Sequence, residues 1–398
     1  MKKISLFDLL VVYTHGIATS ASSIKPNAKL PFSIASKRTH YNNAYAYFLE
    51  MCTKNNMRAA FTTSMDLTNE GDFNSYWLFQ KKEWIKVNKP CYSQLIFDKF
   101  SPINEKQRDR HNTLFSNSKI KPFNGPELYS LFFDKQKTYE YLKPFTIPTV
   151  LIKNNSQESI DKALKTLKIL VAFHPCKNDF SKKLVVKDRF GAGGNNIYCI
   201  SPYKQKAKIF DILQKNKNTS FVLQPFTRFE KGYKYKNYSG FIDIRIIYLR
   251  GKIVQVYIRT AKKKDFRCNE HQGGVLVYIS KKDVPRKVLQ LSSKIVSILN
   301  EKNALYALDF VISNKGNVYL MEGNNGPGID WNLSLKKNER MAKKLIRLIV
   351  LELAQRVEVE ARKSFLFPPV TSQEVLTHKI ALESKLFNKC KQVLSGRY

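Results

Sequence analysis

Apolar residues recur along this chain with two periods, about 3.6 for helices and 2 for strands, and the switches between them lay out an alternating architecture. Residues 45–56 (YAYFLEMCTKNN) have helical spacing and lead into RAAFTTS, which is β-rich. A helix feeding a strand is a unit of a parallel sheet. ISLFDLLVVY predicts a first strand, because Asp8 breaks the apolar run that a signal peptide would need. WLFQKKEWIKV predicts one strand, SQLIFDKFSP another that ends at Pro102, and the polar region 101–124 predicts loop. After Asn124-Gly-Pro, the run LYSLFFDKQKTYEYLKPF predicts one helix, and a strand begins at Ile147-Pro148. Residues 157–170 predict an amphipathic helix with Ile160, Leu164 and Leu167 on one face. A strand over 183–188 runs into a glycine-rich loop, followed by IYCIS, a helix over 204–215 and the strand FVLQPF. From 240 onward strands dominate: FIDIRIIYLRG, KIVQVYIRTA and GGVLVYIS. A helix over 286–300 precedes a hairpin, ALDFVIS and VYLME about the turn Asn314-Lys-Gly-Asn317. A helix over 338–356 and a basic helical tail after Pro368-Pro369 complete the pattern. The fold class is therefore α/β (α+β), divided at 1–123, 124–226, 227–367 and 368–398, and no internal repeat is visible.

Composition narrows the partners. The 398 residues carry 68 Lys+Arg against 32 Asp+Glu, a formal net charge of +36, while 43% hydrophobic and 25% charged residues are ordinary for a globular protein. Such a field attracts polyanions. The basic residues are spread along the chain with no arginine-rich arm, so no specific nucleic-acid motif is present. The six cysteines form no C-x-x-C pair, which argues against structural zinc and fits a reducing compartment. The most apolar helix, LIRLIVLELA, carries Arg347 and Glu352, and no stretch is long enough to span a bilayer. A cytoplasmic location is expected.

Chemistry concentrates at a few points. In the hairpin, Asp309, Glu322 and Asn324 gather three hard oxygen ligands at one edge of a sheet, the set magnesium prefers. Taken alone, the cluster is equally an acidic strand end beside an Asn-Asn-Gly turn. Lys187-Asp-Arg-Phe-Gly191-Ala-Gly193-Gly194 follows a strand, so backbone N–H groups can approach phosphate closely beside a strand-borne lysine. It is neither G-x-G-x-x-G nor the P-loop pattern. FVLQPF, ending near Gln224, can line an adenine pocket, Asp243 and Arg245 share a strand face, and Arg259 and Arg267-Cys-Asn269-Glu-His271-Gln-Gly273-Gly274 add cations beside an amide and a glycine turn.

In this order and spacing, the motifs over roughly 124–350 resemble the ATP-grasp superfamily, and most closely its RimK-type ribosomal-protein glutamate ligase and glutathione synthetase branch. The resemblance implies an N-terminal α/β pre-ATP-grasp domain and two lobes that clamp ATP. By that match Asp134-Lys135 and Ile147-Pro148 open the nucleotide-binding part. Lys135 and Lys187 contact ATP phosphates, and Gly191, Gly193 and Gly194 form a flap over them. Gln224 and Phe226 border the adenine, although Pro225 stands where many relatives have Glu, and Glu230 reaches the ribose. Arg259, Arg267 and Asn269 serve catalysis at the γ-phosphate. Asp309, Glu322 and Asn324 hold Mg2+, two ions with Glu322 bridging, or Mn2+ in their place. The implied activity is ATP-dependent carboxylate–amine ligation through an acyl phosphate, on small-molecule or peptide substrates, an acidic protein tail among the candidates. The alternatives are an ATP-grasp kinase of a polyanionic small molecule and a non-catalytic ATP- or nucleic-acid-binding protein.

Overall fold

A computed structural model describes residues 4–68, 71–100, 102, 105–331 and 335–366. Residues up to Val350 form one compact unit, and a second begins at Leu351, of which 351–366 are helical. The expected tail over 368–398 lies outside the described residues.

Three larger sheets build the first unit. The N-terminal sheet has six strands in the order Glu83–Val87, Tyr76–Gln80, Ala59–Thr63, Leu9–Tyr13, Leu95–Lys99 and Lys121–Pro122. Leu9–Tyr13 is central and buried throughout, and it runs parallel to both neighbours, as a continuous apolar run suits a strand covered on both faces. The helix Tyr41–Lys54 supplies Tyr45, Phe48 and Leu49 to the core. Two expectations fail in this region. The single strand expected over WLFQKKEWIKV is a hairpin, because Lys81 and Lys82 both take positive φ (50° and 65°), the tight turn that matches strand twist. The region expected as loop contains the helix Glu105–Ser116, which a hydrophobic pattern hides because it buries little beyond His111 and Leu114.

The second sheet is antiparallel with four strands, Ile197–Ile200, Phe180–Asp188, Phe221–Thr227 and Val150–Ile152. Its apolar face packs on the helices Gln157–Ala172 and Gln205–Lys215 through Ile160, Leu167, Ile209 and Leu213. The Ser156 hydroxyl caps the first of these by accepting from Ser159 N at 3.1 Å. The long helix expected before this sheet is broken. Pro126–Phe133 ends at Asp134, which is extended (φ −103°, ψ 106°) and caps a second helix, Lys135–Tyr141, by accepting from Gln136 N at 2.9 Å. That break turns Lys135 toward the sheets.

The third sheet orders Val275–Tyr278, Lys252–Thr260, Ile242–Leu249, Leu305–Ile312 and Val318–Asn324, all antiparallel. Its core is largely aliphatic, with Ile244, Ile246, Ile258 and Leu308, joined by Phe310, in one cluster with Val288 and Ile295 of the helix Arg286–Leu299. Register decides what its other face presents. Asp309 stands opposite Arg245 on one side and Glu322 on the other, while Asp243 stands opposite Arg259. Directly opposed residues share a face, so these five side chains form one charged patch between the second and third sheets.

Candidate functional site

The charged patch is ordered by ion pairs. Arg245 donates to both carboxylate oxygens of Asp309, Arg259 donates to Asp243 at 2.9 and 2.8 Å, and a third bond from Arg259 reaches Asp309 at 2.7 Å. All four are buried. Burial alone would raise the proton affinity of Asp309, but the two guanidiniums outweigh it and hold the carboxyl down at about 2. Asp309, expected as a ligand beside Glu322 and Asn324, stands behind Glu322 with guanidiniums bonded to both of its oxygens. Glu322 lies on the edge strand and keeps its side chain 28% exposed. Asn324 donates through Nδ2 to Glu322 Oε1 at 3.3 Å, which leaves Glu322 Oε2 and Asn324 Oδ1 to face a cation. That donor set fits a hard divalent ion that retains water and substrate oxygens, with Glu322 as its charged ligand.

The glycine loop closes over this patch. Lys135 Nζ donates to the carbonyl of Gly191, and Lys135 N donates to Arg189 O at 3.1 Å. Arg189 clamps Asp134 from both its Nε (2.8 Å) and Nη2 (2.5 Å), joining the helix start to the loop. From the far side Gln272 Nε2 donates to Gly193 O at 3.2 Å, and Arg267 Nη1 donates to Gly194 O at 3.3 Å. Gly194 has φ +78°, and a Cβ added there would lie 2.8 Å from Asn269 Oδ1, so only glycine fits.

Under the loop runs a cleft of ≈ 620 Å³, and a recess of ≈ 70 Å³ adjoins it. Gly193, Gln224 and Asn324 line the cleft, Lys187, Gly194, Arg259, Arg267, Asn269 and Asp309 line the recess, and Lys135, Gly191 and Glu322 line both. Burial pushes the Lys187 ammonium down to about 8, with Lys135 adding to the effect and Glu322 opposing it. Burial also lowers the proton affinity of Lys135. Glu322 acts on both of these desolvated cations, and Asp188 and Asp134 act on Lys135 as well.

Two expected residues line neither space. Phe226 is buried against Phe241 and Phe266, ring centroids 6.1 and 5.5 Å away. Glu230 Oε1 accepts from Asn314 Nδ2 at 2.9 Å, in the turn of the hairpin and hence at the opposite end from Glu322. Gln224 does reach the cleft, and its Nε2 donates to Thr149 Oγ1 at 2.8 Å. Other residues of the site escaped the sequence reading. Asp188, Arg189 and Gln272 sit within or beside motifs already in view and could have been found there. Tyr13 and Lys99 enter the same cleft from the N-terminal sheet, Arg38 from the loop before the helix Tyr41–Lys54, and Asp330 from beyond the hairpin, with no local signal to mark them.

Comparison with known proteins agrees with this geometry. A model of the RimK-like ATP-grasp domain matches residues 143–349. A probable alpha-L-glutamate ligase of Parasynechococcus marenigrum is 26% identical over 147 residues, 37% of this chain, and the chain spans 28% of that protein's length. An uncharacterized protein of Mycoplasma genitalium is 23% identical over 267 residues, 67% of this chain and 76% of its own. Among solved structures, D-alanyl-alanine synthetase A of Vibrio cholerae superposes with a TM-score of 0.53 at 14% identity, covering 89% of this chain and 99% of that one, and so shares its fold. With the family model matching more than half of its length, this chain belongs to the RimK-like ATP-grasp family.

Proposed function

We propose that the protein is an ATP-dependent carboxylate–amine ligase that forms an amide through an acyl phosphate and releases ADP and phosphate. The observation that carries this reading is the convergence of Lys135, Lys187, the Gly191–Gly194 loop, Arg259, Arg267, Asn269 and Glu322 on one cleft and its recess. In this reading the loop N–H groups and the two lysines hold the ATP phosphates, with Gln224 and Thr149 at the base end. Arg267 and Asn269 face the γ-phosphate, the carboxylate substrate attacks it, and an amine then displaces phosphate from the acyl carbon. Magnesium held by Glu322 and Asn324 would neutralise phosphate charge as it shifts toward the leaving oxygen. Asp309 acts there by fixing Arg245 and Arg259. The divisions at 1–123, 124–226 and 227–367 become a substrate-facing domain and two nucleotide-clamping lobes.

The relatives' names point to glutamate, and a net charge of +36 suits an acidic peptide as carboxylate substrate. The cysteines Cys52, Cys91, Cys176, Cys199 and Cys268 are unpaired, which supports work in the cytoplasm. No helix of the described residues is long and apolar enough to cross a membrane.

The test is ADP release with Mg2+, ATP, triglutamate and L-glutamate, with the product identified by mass. Amide formation coupled to ADP supports ligation. A phosphorylated acceptor with no amide would replace it by kinase chemistry on the same fold. Within that assay Gly194→Ala should raise the KM for ATP about tenfold with little change in melting temperature. Forcing a non-glycine residue to positive φ costs roughly 1–2 kcal/mol, and 1.4 kcal/mol is a factor of ten. An unchanged KM would show that the loop does not close on nucleotide.

A further inference from the structure

The chemistry so far leaves one proton unassigned. A peptide's α-amino group and a lysine side chain, with ordinary values of about 7.7–8.0 and 10.4, are largely protonated at neutral pH, a free amino acid's amino group is too, and an ammonium has no lone pair with which to attack. We propose that His271 takes this proton, so that it is the general base of the amide-forming step. The inference rests on the ligase reading above.

Position singles out this histidine. It lies in the short turn Glu270–Gln272, two residues after Asn269, and it lines the same cleft as Glu322. A Cβ added at Gly193 would lie 3.0 Å from His271 Cδ2, so the ring sits against the tip of the glycine loop, where the acyl phosphate would be covered. Two other histidines are committed elsewhere. His111 Nε2 bonds Asp98 Oδ2 at 3.0 Å under Tyr129, and His174 Nδ1 accepts from Cys176 N at 3.1 Å. Among the described residues no hydrogen bond ties either ring nitrogen of His271 to the protein.

Its surroundings suit the task. Partial desolvation at the cleft wall lowers the proton affinity of His271, although the residue stays exposed, and Arg38 and His40 from the N-terminal domain and Arg259 from the third sheet lower it further. Asp330 acts in the opposite direction, and Glu270 stands beside it in the same turn. The balance keeps the imidazole neutral at pH 7, which is the form a base needs. Asp330, whose Oδ2 lies 3.5 Å from His40 Nε2, supplies the negative charge that would draw an ammonium to this end of the cleft.

The step balances. The ammonium gives one proton to a ring nitrogen of His271, and the freed lone pair forms the C–N bond at the acyl carbon. The C–O bond to phosphate breaks, and the departing phosphate takes the second proton from nitrogen as the amide forms. Imidazolium then discharges to water, since the ring is open to the cleft.

Hydroxylamine separates this role from a structural one, because it is largely unprotonated at neutral pH and needs no base. The full chain is assayed with Mg2+, ATP and triglutamate, with either L-glutamate or hydroxylamine as the amine. His271→Gln should lose about 10²-fold or more of kcat with L-glutamate while hydroxamate formation and the KM for ATP stay within about twofold of wild type. With L-glutamate, wild-type kcat should rise with pH through an apparent value below that of free imidazole, and the variant should lack that limb. Equal losses with both amines, or no loss with either, would overturn the assignment while leaving ligation intact. A wild-type protein that makes neither product would overturn the ligase reading, and this inference with it.

Discussion

Glu322→Gln is expected to abolish ligation while leaving the fold in place. The substitution keeps the shape of the side chain and removes the negative charge that faces Lys135 and Lys187. Glu322 stands on the edge strand, its side chain is 28% exposed, and its nearest cation contact, Arg245 Nη2 at 3.7 Å, is long. Little stability depends on such a contact, roughly 0–1 kcal/mol for a partly exposed pair. Catalysis depends on it heavily. If Glu322 is the charged ligand for magnesium at the phosphates, its loss should cost several kcal/mol of transition-state stabilisation, and each 1.36 kcal/mol is tenfold in rate. A fall in kcat of about 10³-fold or more is expected, with a melting temperature within about 2 °C of wild type. Titrating Mg2+ adds a second readout, since the midpoint for residual activity should move to higher concentration. A variant that retains even a tenth of wild-type turnover at the same Mg2+ would remove Glu322 from the metal assignment.

Glu322 was legible in the sequence for a physical reason that does not extend to its neighbours. It ends a β-rich run two residues before Asn324, and so does Lys187 before its glycines. A charge that interrupts an apolar strand beside a turn is visible in one dimension. The pairing of Arg245 with Asp309 spans 64 residues and exists because register sets the two strands side by side. Spacing put Asp243 and Arg245 on one face, but it carried no information about which carboxylate either guanidinium would meet. Arg38, Lys99 and Asp330 reach the cleft from parts of the chain with no motif at all, which is why that end of the cleft was blank in the sequence. The elements show the same division. The apolar period runs through Phe132, Phe133 and Tyr139 without a break, so the cap at Asp134 that turns Lys135 inward was invisible. The turn at Lys81-Lys82 was hidden because lysine is not a turn residue and its positive φ is imposed by the strands on either side. Phe226 and Glu230 continue the sequence order past Gln224 and line neither the cleft nor the recess.

Asp309→Ala should behave differently from Glu322→Gln, although both residues carry a carboxylate and face each other across one strand pair. Arg245, Arg259, Asp243 and Asp309 form a buried set of two positive and two negative charges. Removing Asp309 leaves two desolvated guanidiniums against one carboxylate, and breaking a buried pair in this way costs about 3–5 kcal/mol. The variant should therefore lose both activity and stability, measured as a lower urea midpoint with an unchanged slope. Asp309→Asn should lose a comparable amount, because it restores the shape and some hydrogen bonding without the charge. Arg245→Met combined with Asp309→Leu should recover much of the stability while remaining inactive, since replacing a buried pair by apolar residues is often neutral or better. Acid should act on wild type in the same direction. The folded carboxyl is held below its unfolded value, so its contribution is complete above about pH 4 and drains away as pH falls toward 2. An Asp309→Ala protein that unfolds within about 1 kcal/mol of wild type would show that these ion pairs do not hold the third sheet together. In that case the two arginines would have to be explained by ligand binding alone.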